Sequence, residues 1–400
     1  MINAINPGFA HLAPYPFERL GKLLATVRPP DNLDPVALSI GEPRHAPPAS
    51  VLRAYERSLL EGVSRYPTMR GIEPLRAAMR DWLARRFALT ADANTQIHPV
   101  NGTREALFAI AQAMVTPGAG QRILLPNPFY QIYEGAALMA GAIPTYLPAT
   151  AEHNFLPDLQ AIAPEVLEQT QLFYLCSPVN PCGTIAPLSY LQSLAQLARQ
   201  YDFVVVADEC YIELFRDTPP PSMLNACIQL GDPAFTNVLV FHSLSKRSNL
   251  PGLRSGFVAG DAELIDAFAR YRTYHGCSMS LAVQRASIEA WNDDAHVHSN
   301  REQYNEKFDS ARQILSPVID VAVPPATFYL WPDVGEDDEV FCRDLYAQTH
   351  VTAVPGRYLA RDADGANPGR NRVRLSLVAT PEQTAVALQR LASFIQQRKQ

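Results

Sequence analysis

The sequence predicts an α/β fold, with a largely parallel sheet flanked by helices in one large domain and a smaller α+β domain built from both chain ends. Three observations carry this. Short apolar runs at 123–125, 172–176, 203–207 and 238–241 each read as a strand buried on both faces. Helical patterns, such as the one at 188–201, lie between several of them, which is the rhythm of a parallel sheet. Finally, 400 residues exceed the usual ceiling for a single hydrophobic core.

The elements follow in order. An extended apolar piece at 36–40 leads into Gly41-Glu42-Pro43, after a start punctuated by proline. Residues 49–60 and 72–87 read as helices. Residues 101–115 place Ala106, Leu107, Ile110, Ala111 and Met114 on one helical face, with polar residues at the entrance. After the four main strands, 257–259 is a fifth, shorter candidate. A long helical region from about 281 to 315 leads to strand candidates at 327–331 and 372–377 and a closing helix at 381–397. The expected division is 46–290 for the large domain, with 1–45 and 291–400 forming the small one. No internal repeat is visible.

Composition narrows the function. Hydrophobic residues make up 47% and charged residues 18%, which is globular and argues against disorder. The net charge of -6 gives no general attraction to nucleic acid or to an anionic membrane, so an anionic substrate must be drawn by local arginines. Six cysteines at long, irregular spacing suggest neither a metal site nor a disulfide framework. The first twelve residues lack the pattern of a secretory signal, and no apolar stretch approaches the roughly 20 residues that cross a bilayer, so a cytoplasmic location is expected.

Chemistry-bearing residues stand just after the strand candidates. Asn180 follows 172–176, Asp208 follows 203–207, and Ser243, Ser245 and Lys246 follow 238–241. Ligands of open α/β sheets bind beyond the carboxyl ends of strands, so these residues could meet at one site. Singly, each has a plain reading: Lys246 as a solvated loop residue, Asp208 as a helix cap, the serines as turn formers. Position alone leaves the function open.

The local sequences go further. Residues 243–254, SLSKRSNLPGLR, hold Ser-x-x-Lys followed eight residues later by Arg254. Asp208-Glu209-Cys210-Tyr211 is an Asp-x-x-Tyr element, and Asn180-Pro181-Cys182-Gly183 is an Asn-Pro-x-Gly turn with Cys182 where Thr is usual. Upstream stand Asn101-Gly102-Thr103-Arg104, Tyr130, and Tyr66 followed by Pro67 and Gly71; Ser39-Ile40-Gly41-Glu42-Pro43 and Arg372-Val373-Arg374-Leu375-Ser376 flank them toward the two ends. In this order and spacing, from about 40 to 377, they resemble the class I aminotransferases of pyridoxal-phosphate fold type I.

The resemblance implies pyridoxal 5'-phosphate as cofactor, held by Lys246 as a Schiff base. Ser243, Ser245 and Arg254 would hold its phosphate with the helix start at Gly102, Thr103 and Arg104, where unpaired backbone N–H groups face an anion. Asp208 would keep the pyridine nitrogen protonated, Tyr211 and Asn180 would reach the phenolic oxygen, and Tyr130 would stack on the ring. Arg374 and the backbone of Gly41 would take the substrate α-carboxylate, Asn180 lying beside them. Tyr66 would reach a neighbour's cofactor phosphate across a homodimer interface.

A finer resemblance, in SIGEPRH at 39–45, 175–180, the block 243–261 and Arg272-Thr273-Tyr274-His275-Gly276-Cys277, is to bacterial succinyldiaminopimelate transaminases. It implies transfer of the amino group of N-succinyl-L,L-diaminopimelate to 2-oxoglutarate, giving glutamate, in lysine synthesis. Both substrates carry a carboxylate far from the reacting carbon, and Arg44, Arg70, Arg272 and His275 are candidates to meet it. The alternatives are a class I aminotransferase acting on aspartate, aromatic amino acids or acetylornithine, a cofactor-sharing lyase, and a non-catalytic sensor.

Overall fold

In the computed structural model, which describes residues 5–118, 120–363 and 365–399, the apolar runs become the middle of a seven-stranded sheet. In the first part of the chain the strands are β1 (Val36–Ala37), β2 (Ile97–Val100), β3 (Arg122–Asn127), β4 (Ile143–Pro148), β5 (Thr170–Cys176) and β6 (Val204–Asp208). They continue with β7 (Val238–Ser243), β8 (Gly256–Gly260), β9 (Tyr329–Leu330), β10 (Val351–Thr352), β11 (Val354–Pro355) and β12 (Val373–Ser376). The large sheet runs β2-β8-β7-β6-β5-β3-β4; β8 is antiparallel to both its neighbours and the remaining pairs are parallel.

Alternation along the strands sorts two cores. Leu124, Phe173, Leu175, Val205, Ala207 and Val240 face one side, with the helices Glu73–Phe87, Leu188–Tyr201 and Leu281–Asn292. Ile123, Leu125, Leu172, Tyr174, Val206 and Leu239 face the other, with the helices Thr103–Met114, Ile132–Met139 and Ala262–His275. Coverage on both faces explains why these strands are continuously apolar. A third core draws on both ends of the chain: Val36 and Leu38 pack with Phe308, Leu330, Phe341, Leu375 and Phe394. Here β1 pairs with β10, and β12 lies between β11 and β9.

Several expectations need correction. The helical region at 281–315 is two helices, Leu281–Asn292 and Ala295–Leu315, because Asp293 turns extended and its carboxylate accepts from the Ala295 N–H at 2.9 Å. The strand expected at 327–331 is only Tyr329–Leu330, since Thr327 sits at φ 77°, outside the extended region. The first strand is shorter than its apolar run, although Leu38 still bonds Thr352 and Ser376 through its backbone. Strands β2 and β4 were not anticipated; both are sheet edges, and β4 tolerates Pro144 and Pro148 there.

Candidate active site

Register places the key groups. Cys176 pairs with Asp208, and Asp208 with Phe241, so the carboxyl ends of β5, β6 and β7 finish side by side. The loops that follow carry Asn180, Tyr211 and Lys246 to one cavity of about 510 Å³. Of the expected residues, Gly41, Thr103, Arg104, Tyr130, Asn180 and Asp208 line it. So do Tyr211, Ser243, Ser245, Lys246, Arg254 and Arg374. Gly102 lies directly behind Arg254. Tyr66 does not line the cavity and is wholly exposed on the single chain.

One end of the cavity is built for an anion. Gly102, at φ 80°, opens the helix Thr103–Met114, and a Cβ there would fall 2.2 Å from Arg254 Nη2. The backbone angle demands glycine, and a side chain there would also push the Arg254 guanidinium aside. Ser243 Oγ accepts from the Ser245 backbone N–H at 3.1 Å, which fixes the Ser243 hydroxyl at the start of the turn. Arg254 donates to the Pro251 carbonyl at 2.8 Å and has no carboxylate partner among the described residues.

In the middle stand Lys246 and Asp208. The half-buried Lys246 donates from Nζ to the Gly41 carbonyl at 2.7 Å. Burial pulls its amine down to about 8; Arg374 acts in the same direction, while Cys210, Glu42 and Asp208 oppose it. A neutral amine is the nucleophile, so attack by Lys246 should speed up as pH rises. In the cofactor-free protein, the rate of reductive methylation at Lys246 is expected to rise to a plateau with its midpoint near pH 8, measured by peptide mass spectrometry.

Asp208 is buried. It accepts from Tyr133 Oη at 2.7 Å and from the Cys210 N–H at 3.2 Å, yet burial still raises its pKa. No cation forms an ion pair with it among the described residues. Such a carboxylate suits a ligand that brings a positive charge.

Arg374 is the opposite case. At 5% exposure it donates to Asn180 Oδ1 at 3.2 Å and to the Ser39 carbonyl at 2.9 Å; its Nε has no partner, and no carboxylate pairs with it among the described residues. A buried, half-satisfied guanidinium is prepared for an incoming carboxylate. Tyr329 packs 4.6 Å below it and meets Tyr211 Oη at 3.0 Å through its own hydroxyl.

The sequence reading missed Tyr133, Tyr329 and the Ser39 carbonyl as partners within the site. Tyr133 had one faint signal, its place three residues after Tyr130. Tyr15 and Phe17, at the start of the helix Pro16–Leu24, also line the cavity. None of the four candidates for a remote carboxylate lines the cavity of the single chain. Arg272 is buried against Glu105 at 2.8 Å, Arg70 pairs with Asp266, and Arg44 and His275 are exposed.

Residues 34–391 match the family Aminotransferase class I and II. An LL-diaminopimelate aminotransferase from Dehalococcoides mccartyi is 30% identical over 390 residues, covering 96% of this chain and 97% of the relative. The crystal structure of an aminotransferase from Neisseria meningitidis superposes with a TM-score of 0.94 at 44% identity, over 98% of this chain and all of that one (100%). Aminotransferase AspB from Helicobacter pylori gives a TM-score of 0.89 at 37% identity, over 96% and 99% of the two chains. The chain belongs to the class I and II aminotransferases, enzymes that use pyridoxal 5'-phosphate. The donor set fits that cofactor: an anion cradle at Gly102 and Arg254, a depressed lysine amine, and a buried carboxylate without a cation.

Proposed function

We propose that the protein transfers the amino group of N-succinyl-L,L-diaminopimelate to 2-oxoglutarate, with Lys246 as the residue that holds pyridoxal phosphate and moves the proton. The observation behind this chemistry is the charge arrangement of the cavity, with Asp208 and Arg374 both free of ion pairs among the described residues and Lys246 sharing the same space. When bound, the cofactor supplies an aldehyde that exchanges amines and a ring that draws electrons from the α-carbon. Asp208 favours the protonated ring nitrogen, as an anion does for a neighbouring cation. Ser243, Ser245, Arg254 and the helix start at Gly102, Thr103 and Arg104 take the phosphate. Tyr211 and Asn180 serve the phenolic oxygen, and Tyr130 stacks on the ring. Arg374 and Gly41 grip the α-carboxylate. Once displaced, the Lys246 amine is the base at the α-carbon.

The substrate follows from the remote end. Apart from Lys246, Arg254 and Arg374, Arg104 is the cation on the cavity wall, and among the described residues its guanidinium bonds only the Tyr15 hydroxyl, at 3.4 Å. It suits a distal carboxylate, which both the succinylated donor and 2-oxoglutarate possess. The relatives named for LL-diaminopimelate support a donor of this carbon skeleton. They also favour a second reading, in which free L,L-diaminopimelate is the donor and Glu42, also on the wall, meets its distal ammonium.

The absorption spectrum of the loaded enzyme separates the two. Adding N-succinyl-L,L-diaminopimelate without acceptor is expected to convert the visible cofactor band, while free L,L-diaminopimelate leaves it. Conversion by the free compound alone would replace the first reading with the second. A band unmoved by either would exclude both donors.

We also propose a homodimer. Leu59, Leu60, Val63 and Tyr66 expose large side chains on one short stretch, as an interface between copies requires. Tyr66 would then approach the partner's phosphate cradle. No described helix is long and apolar enough to cross a membrane.

A further inference from the structure

Outside the cavity, a buried chain of polar side chains runs from His45 through Asn300 to the main chain of Lys246. It joins the segment after Gly41, the helix Ala295–Leu315 and the turn after β7. Asn300, Tyr304 and Lys307 recur at helical spacing, and all are buried.

Asn300 spends its whole hydrogen-bonding capacity here. Its Nδ2 donates to the carbonyls of Lys246 at 3.1 Å and Arg247 at 3.2 Å. Its Oδ1 accepts from Asn249 Nδ2 at 2.7 Å and meets His45 Nδ1 at 2.8 Å. Turning the amide over would set donor against donor and carbonyl against carbonyl, so its orientation is fixed. Lys307 Nζ lies 2.6 Å from His45 Nε2 and donates to the Leu377 carbonyl at 3.1 Å. An ammonium can only donate, so Nε2 is the bare nitrogen and Nδ1 carries the proton toward Asn300.

The two ends of this chain matter for the reaction. Gly41, just upstream of His45, accepts from the Lys246 amine, and Leu377 directly follows the strand that bears Arg374. We infer that His45, Asn300 and Lys307 form a positioning brace that holds Lys246 in register with the carboxylate anchors Gly41 and Arg374. None of the three lines the cavity, so they act through Lys246 and not on substrate. Buried polar groups are weak devices for stability alone, since apolar packing serves that end as well or better. Directed hydrogen bonds instead fix geometry, and both ring nitrogens of His45 and both ends of the Asn300 amide are engaged. The inference rests on the role proposed above for Lys246.

The test uses the full-length enzyme loaded with pyridoxal phosphate. Its visible band is titrated against pH without substrate, and a single turnover with L-glutamate is timed. The charged or titratable groups around Lys246 are Asp208, Glu42, Cys210 and Arg374; Lys307 and the Tyr304 ring face His45, and Glu382 faces Lys307. All of these remain in the His45 and Asn300 variants. His45→Ala and Asn300→Ala are expected to move the band's midpoint by about half a pH unit or more and to slow the single turnover roughly ten- to hundredfold. The half-saturating glutamate concentration should change by less than about threefold, because the anchors themselves are intact. His45→Gln can still donate to Asn300 and should recover much of the rate.

A lower melting temperature with an unchanged midpoint and rate would overturn the brace. If Asn300→Ala does not fold, Lys307→Met decides, with a midpoint shift expected and no shift counting against the inference. The band titration alone is decisive should L-glutamate prove a poor donor. A Lys246→Ala enzyme whose visible band matches the wild type would instead sink the underlying reading of Lys246, so the two failures are distinguishable.

Discussion

Replacing Lys246 by alanine is expected to lower turnover with every amino donor by at least about a thousandfold, because one amine serves two steps. General acid–base action alone contributes roughly a hundred- to ten-thousandfold, and loss of the covalent hold adds to it. The cradle around Gly102, Ser243, Ser245 and Arg254 is untouched by the change, so the cofactor should still bind. Its visible spectrum should differ from that of the parent enzyme. Added methylamine, small enough to enter a cavity of about 510 Å³, should restore a part of the lost rate. Stopped-flow measurement of the half-reaction checks all three points. A Lys246→Ala enzyme with ordinary turnover would end the assignment.

Asp208→Asn is expected to separate activity from stability. The change keeps shape and leaves Tyr133 Oη a partner, but removes the charge proposed to face the ring nitrogen. Breaking a buried charge pair costs about 3–5 kcal/mol. If the whole of that interaction is felt in the transition state, the loss in kcat/KM is roughly 150- to 5,000-fold. The cofactor-free protein should behave in the opposite way. Its buried carboxylate has a raised pKa, so the folded state holds a proton there more tightly than the unfolded chain does. Ionised Asp208 therefore costs the empty protein stability as pH climbs above the ordinary carboxylate range, and asparagine removes that cost. Calorimetry of the empty variant at neutral pH should show a melting temperature no lower than that of the parent. A clear drop would mean that Asp208 is structural in its own right.

Much of this was legible in the sequence because strand ends and motifs coincide. The apolar runs of β5, β6 and β7 are unmistakable, and Asn180, Asp208 and Lys246 stand within a few residues of their ends. Glycine and arginine at 102 and 254 could be named separately, but that they touch is a product of folding. The surroundings of the remote-carboxylate candidates were hidden for the same reason. Nothing local shows that Arg272 is consumed by Glu105 or Arg70 by Asp266, since these partners come from distant elements. Tyr133 shows the limit from the other side: its helix was not anticipated, so the direction of its hydroxyl could not be. Where one residue's own backbone decides, as with the extended Asp293, a break inside a polar Asn-Asp-Asp stretch could have been read in advance.

The contacts that complete the site span most of the chain. Arg374 bonds the Ser39 carbonyl 335 positions away and Asn180 194 positions away, while Lys246 reaches back 205 positions to Gly41. Synthesis proceeds from the amino end, so the groups around Lys246 are made well before the arginine proposed to hold the substrate. A chain cut short just before β12 would contain every residue proposed for the cofactor and lack the guanidinium proposed to anchor a donor. On that proposal, a donor is gripped only once the two ends of the polypeptide have met.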